Sequence, residues 1–300
     1  MADSTAPDPG QSVFVTARDG LRLHVRQYGE AAAPGVPVVC LPGLTRTVAD
    51  FAALAPVLAG DAGRKRRVIA IDSRGRGQSG YDSNPENYNV AVELADVITV
   101  LTALAVAPAI FVGSSRGGIL TMLMGVAKPE ALAGVVLHDI GPVIEPAGLA
   151  RIKSYVGKLP QPRTFADGAE ILQRLFGAQF PQATPHDWLA AAQRAWQMKN
   201  GTLAPTYDIR LAQTLADLDV DLPMPALWNE FDSLGRLPML IIHGANSDIL
   251  SAATVAAMAA HHPGMQVIEV PDQGHVPALE GDLIARIAAF AAGCDARTTV

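Results

Sequence analysis

The chemistry in this chain centres on Ser115. It sits in Gly113-Ser114-Ser115-Arg116-Gly117, a Gly-x-Ser-x-Gly pattern that closes the apolar run Ala109-Ile110-Phe111-Val112 and opens another, Ile119-Leu120. In such a strand–turn–helix setting the pattern forms a nucleophile elbow. The two glycines identify Ser115 as the central residue, and a side chain at either would crowd the neighbouring strand or helix. A serine hydroxyl is a weak nucleophile at its free pKa, so it needs an adjacent base and an acid to orient that base. Of seven histidines, His275 fits best, in Pro271-Asp272-Gln273-Gly274-His275, a loop between the last strand and the last helix. His138 ends a strand and is its nearest rival. Two acids end strands: Asp248, after Ile241-Ile242-His243-Gly244-Ala245-Asn246-Ser247, and Asp139, after His138. Either keeps the order nucleophile, acid, histidine. Asp248 is preferred, because its loop leaves the strand next to the histidine-bearing one. Asp139 is then expected to line the pocket or brace the segment that follows. Two N–H donors must hold an oxyanion. Arg116 supplies one, since an N–H at a helix start has no intrahelical acceptor. Leu44, in Leu41-Pro42-Gly43-Leu44, supplies the other.

Positioning these residues requires a particular order of elements. Residues 1–12 are expected to be disordered. Apolar alternation on both sides of Asp19-Gly20 predicts a hairpin, and in its second arm His24 is expected to face the surface. Strands follow at about 36–41, 67–71, 109–113, 132–140, 239–244 and 266–270. Helical patterns separate them at about 47–58, 89–105, 116–127 and 252–261, and a last helix covers 278–292. Continuous apolar strands alternating with helices imply a mostly parallel, eight-stranded sheet covered on both faces. The alternation breaks from 143 to 237, where helical patterns and no clear strand are found. The expected organisation is therefore a core of 13–142 and 238–292, a helical cap insertion at 143–237 after strand 6, and a tail at 293–300. Trp188 and Trp196 of the insertion are candidate pocket residues.

The totals fit this reading. Charged residues make up 17% of 300 residues and hydrophobic ones 49%, a well-buried globular composition. The net charge of −6 comes with no basic stripe, which argues against nucleic acid. Cys40 and Cys294 form no disulfide framework. No apolar run reaches the ~18 residues of a membrane span, and Met1 to Gly10 carries no signal-peptide pattern. The expectation is a cytoplasmic protein with a small-molecule substrate, no nucleic acid, no membrane, no cofactor and no metal, and at most a second copy of itself in a homodimer.

Gly75-Arg76-Gly77-Gln78-Ser79-Gly80 matches Gly-x-Gly-x-x-Gly. A dinucleotide fingerprint needs a helix to open at the third glycine. Here Tyr81-Asp82-Ser83-Asn84-Pro85 follows, which is loop chemistry. The stretch is read as a structural loop beneath the site.

Taken together, Pro42-Gly43-Leu44, Asp72-Ser73-Arg74-Gly75-Arg76-Gly77-Gln78-Ser79, the elbow, Gly244-Ala245-Asn246-Ser247-Asp248 and Gly274-His275 resemble the α/β-hydrolase superfamily over about residues 13–292. The chain differs from that pattern in having Pro42 where a histidine is usual and Arg116 where methionine or leucine is common. An arginine there would select an acidic group or point into solvent. The resemblance implies a carboxylesterase-like enzyme: Ser115 attacks a small carboxylic ester or lactone, His275 relays the proton and an acyl-serine forms. The alternatives are carbon–carbon hydrolysis of a diketone or acyl transfer by the same residues. A non-catalytic binder would be expected to lack a triad member, and none is missing.

Overall fold

The computed structural model of the protein describes residues 8–60, 64–216, 218–219 and 224–297. Eight strands form one sheet in the order β1-β2-β4-β3-β5-β6-β9-β10. They are β1 (Gln11–Thr16), β2 (Arg22–Tyr28), β3 (Gly35–Leu41), β4 (Arg66–Ile71), β5 (Ala109–Ser114), β6 (Leu132–His138), β9 (Met239–Gly244) and β10 (Gln266–Val270). The β1–β2 and β2–β4 pairs are antiparallel and the other pairs in the sheet are parallel. The fold is that of an α/β hydrolase. The central strands are buried throughout and mostly apolar, because helices cover both faces. One face packs on α2 (Val90–Ala103) and α3 (Arg116–Ala127) and the other on α1 (Leu54–Gly60) and α9 (Gly281–Arg297). Helix α8 (Ala252–His261) links β9 to β10.

Several expectations need correction. The first strand begins at Gln11, so residues 11 and 12 are ordered, while residues 1–7 lie outside the described residues. The helix expected at 47–58 is a 3₁₀ turn, Val48–Phe51, followed by α1 with Pro56 in its first turn. There the missing proline N–H costs nothing. His24 is fully buried. Its Nδ1 lies 2.7 Å from Asp72 Oδ2 and its Nε2 3.0 Å from the Ser12 hydroxyl. The 72–80 loop, held to β2 through the Gly80 N–H and the Arg22 carbonyl, covers the face that alternation assigned to water. The expected tail is helical as far as Arg297, with Cys294 and Asp295 buried, and 298–300 lie outside the described residues.

Between β6 and β9 come α4 (Pro146–Tyr155), α5 (Phe165–Phe176) and α6 (Pro185–Ala195), then the hairpin β7 (Trp196–Lys199) and β8 (Thr202–Pro205), a 3₁₀ stretch at Ile209–Leu215 and the short α7 (Trp228–Asp232). The hairpin overturns the strand-free expectation. Its turn is Asn200-Gly201, with φ of 51° and 79°, the pair that a type I′ turn favours. Helices α5 and α6 start at Thr164 and Thr184 with full capping boxes. Their inner faces form a separate small core around Leu172, Trp188, Ala192 and Trp196.

Candidate active site

The elbow is built by close backbone approach. A Cβ on Gly113 would come within 2.5 Å of the Gly117 carbonyl, and one on Gly117 would strike the Leu41 backbone. Ser115 itself has φ 50° and ψ −116°, a strained conformation for a non-glycine residue. It ends β5 and starts α3, so its Oγ is lifted off the sheet. Its N–H donates to the His138 carbonyl of neighbouring β6 at 3.0 Å.

His275 closes on this hydroxyl. The Ser115 hydroxyl donates to His275 Nε2 at 2.8 Å. His275 Nδ1–H donates to Asp139 Oδ2, also at 2.8 Å. The ionised carboxylate accepts only, so it fixes the tautomer that leaves Nε2 free to accept. Asp139 is fully buried. Its Oδ1 accepts from the Gly244 N–H at 2.7 Å and its Oδ2 also accepts from the Ser247 hydroxyl at 2.6 Å. Its φ is 54°, a left-handed conformation that aspartate tolerates better than most residues.

The acid expected from the sequence was Asp248, and the structure corrects this. Asp248 accepts Arg151 Nε at 2.6 Å and Nη2 at 2.7 Å, which ties α4 to the loop after β9. Burial pushes its carboxyl up, but Arg151 holds it below its ordinary value. The loop after β9 does approach the histidine loop, as expected, since the Asn246 N–H donates to the Gln273 carbonyl at 2.9 Å. What that loop contributes to the acid is Ser247 and the Gly244 N–H. Asp139 accordingly is not a pocket-lining residue.

His138 has a different task from its rival. Its Nε2–H donates to the Pro277 carbonyl at 2.9 Å and its Nδ1 accepts from the Ser114 hydroxyl at 2.7 Å. Burial pushes its pKa down to about 4, so it is neutral near pH 7 and steadies the loop that carries His275.

The oxyanion side is braced from below. A Cβ at Gly43 would stand 3.6 Å from Ser115 Cβ, so the Pro42-Gly43-Leu44 loop lies against the nucleophile. Arg76 Nε donates to the Leu44 carbonyl at 2.8 Å and its Nη1 to Glu93 Oε1 at 2.7 Å. Arg116, which opens α3, gives its side chain to the other oxygen of Glu93 at 2.6 Å. This is neither of the two placements expected for it. Burial pushes the Glu93 carboxyl up, and the two arginines together hold it below its ordinary value. The glycine-rich loop is thus structural: Arg74 binds Asp96, Asp82 and Asp19, while Arg76 reaches up to the Leu44 loop.

Two cavities meet at Ser115. The larger, about 690 Å³, lies between the core loops and the inserted segment, with Phe176, Phe180, Trp188 and Trp196 on its wall. The smaller, about 490 Å³, is largely apolar, with Ile119, Ile140, Ile144 and Leu149 around it, and Arg116 and Glu86 also border it. Trp188 and Trp196 also pack the small core of the insertion and are almost wholly buried. Arg46 and Arg194 stand on the wall of the larger cavity. The sequence reading missed both, because nothing in their immediate neighbours places them near Ser115.

A serine on a strand–helix elbow, backed by a histidine and a buried aspartate over this sheet, places the molecule in the α/β-hydrolase class. The model of the alpha/beta hydrolase family matches residues 38–287, and the chain belongs to that family as a hydrolase. It is similar to a 3-hydroxybutyrate-oligomer hydrolase of Cupriavidus necator, 33% identical over 263 residues and covering 85% of this chain and 87% of the relative. It is also similar to a 2-(acetamidomethylene)succinate hydrolase of Mesorhizobium japonicum, 28% identical over 90% of this chain and 92% of the relative. Among solved structures, an alpha/beta hydrolase from Novosphingobium aromaticivorans superposes with a TM-score of 0.86 at 37% identity. That match covers 96% of this chain and 99% of the other. Among the described residues no helix is long and apolar enough to cross a membrane.

Proposed function

We propose that this hydrolase cleaves a small carboxylic ester through an acyl-serine intermediate, with Ser115 as nucleophile, His275 as base and Asp139 as orienting acid. The observation that carries this reading is the unbroken relay of two 2.8 Å hydrogen bonds from Ser115 Oγ through His275 to Asp139. As Ser115 Oγ bonds to the ester carbon, its proton passes to His275 Nε2. The N–H groups of Leu44 and Arg116 receive the developing oxyanion, a contribution of about 3–4 kcal/mol per donor in well-placed sites. The carbon–oxygen bond then breaks, and His275 returns the proton to the leaving alkoxide. Water repeats the sequence on the acyl-serine and releases the acid. The inserted segment acts as a cap over the substrate, supplying one wall of the larger cavity. The relative from Cupriavidus necator supports an ester of small size, since its named substrate is an oligoester of a short hydroxy acid.

Purified protein should hydrolyse short p-nitrophenyl esters and be labelled at Ser115 by a fluorophosphonate. Ser115→Ala should abolish both while leaving the thermal midpoint within a few degrees of wild type. No turnover across a chain-length panel together with no labelling would sink the reading. A diketone consumed faster than any ester would move the assignment to carbon–carbon hydrolysis.

A further inference from the structure

The ester-hydrolase reading leaves open which half of the ester enters which cavity, and the geometry points to an answer. The leaving alkoxide must take its proton from His275 Nε2, so it has to depart on the side where His275 is accessible. Ser115 borders both cavities, but His275 borders only the larger one. The alcohol half therefore belongs in the larger cavity and the acyl half in the smaller, largely apolar one, where the Arg116 guanidinium is already paired with Glu93.

Two arginines, Arg46 and Arg194, share the wall of the larger cavity with the acids Asp50, Asp187, Asp272 and Glu280. Arg46 follows the Leu44 loop, and its stem packs on Gly43, beside Ser115. Its guanidinium is held in a bidentate pair by Asp50, at 2.8 and 2.6 Å. Arg194 comes from α6 on the facing cap and reaches the same Asp50 with Nε at 3.6 Å. That is beyond hydrogen-bond distance. Among the described residues its guanidinium donates no hydrogen bond, and 38% of the side chain is exposed. Two guanidinium groups thus share one carboxylate. Burial and then the like charge of Arg46 push the Arg194 pKa down, outweighing the acids around it. Of the other acids on that wall, Asp187 caps α6 through Thr184, and Asp187, Asp272 and Glu280 are all exposed to water. A second carboxylate beside Arg194 would complete the pairing, and a planar guanidinium with free N–H groups suits one.

We propose that the larger cavity receives the alcohol half of the ester and that Arg194, together with Arg46, binds a carboxylate carried by that half. The substrate is then an ester of a hydroxy acid, cut next to its acid end. This rests on the ester-hydrolase reading.

Three esters test it: 3-butyryloxybutyrate, with the carboxylate on the alcohol half; 3-butyryloxybutanamide, its neutral counterpart; and the mono-sec-butyl ester of glutarate, with the carboxylate on the acyl half. Wild type should favour the first over the second by about 10-fold or more in kcat/KM, as a charge-assisted pair implies. It should show no such gain with the third. Arg194→Gln should cut the first-to-second ratio about 10-fold, mainly through KM, and Arg194→Lys should keep most of it. A wild-type ratio near one, an unchanged ratio in Arg194→Gln, or a preference for the glutarate ester each overturns the proposal. If the panel of p-nitrophenyl esters is also inert, it is the ester reading itself that has failed, and this assignment with it.

Discussion

Asp139 and Asp248 differ in what each carboxylate already holds. Asp139 carries the histidine, a hydroxyl and an amide, all inside the protein. Asp248 carries Arg151. Asp139→Asn presents an amide that can donate to His275 and so stabilises the wrong tautomer. A loss of about 10⁴-fold in kcat is expected, by comparison with triads of this kind. Asp248→Asn breaks the pair with Arg151 and loosens α4, and should change kcat by less than about 10-fold. Steady-state kinetics on one p-nitrophenyl ester checks both, and equal losses would contradict the assignment. The sequence offered both acids at strand ends and in the right order. What it did not carry was the direction of each side chain, which depends on a left-handed residue at 139 and on a partner, Arg151, nearly a hundred positions away.

At the scale of elements, the elbow depends on how closely α3 can approach β3. Gly117 lies where any Cβ would enter the Leu41 backbone, and neither partner is a flexible side chain that could yield. Gly117→Ala should therefore destabilise the protein by about 3 kcal/mol or more, as overpacking of a rigid contact does. Chemical denaturation measures this, and a midpoint within error of wild type would show that the elbow has slack. The same scale shows why the parallel strands of the core were legible from the apolar runs while the β7–β8 hairpin was not. The core strands are buried on both faces and read as continuous apolar stretches. The hairpin has only four residues per strand, and Met198 and Lys199 are exposed. Its single clear signal is Asn200-Gly201. His24 was misplaced for a related reason: alternation reports one covered face, and here a loop covers the other.

For the molecule as a whole, the first and last parts of the chain are locked together. Asp295 near the end of α9 accepts Arg66 Nη1 and Nη2 and also the Val36 N–H. Arg66 is fully buried. Asp295→Ala would leave that guanidinium buried without its counter-charge, a cost of about 3–5 kcal/mol. The thermal midpoint should drop clearly, while kcat measured well below the new midpoint should stay close to wild type, because Arg66 lies at the start of β4, away from the loops that carry Ser115 and His275. An unchanged midpoint would mean that water reaches and solvates Arg66.

By itself the sequence determined the class of fold, the strand order in the chain, the nucleophile turn and the loop that carries the histidine. These are local properties: apolar periodicity, glycine spacing and turn chemistry are written in neighbouring residues. Only the tertiary structure decided which aspartate faces His275, that the Arg116 side chain belongs to Glu93, that His138 braces a loop, and that Arg46 and Arg194 meet over Asp50. Each of these is a contact between residues far apart in the chain. The direction of a side chain at the end of a strand is set by the element packed against it, which no run of adjacent residues encodes.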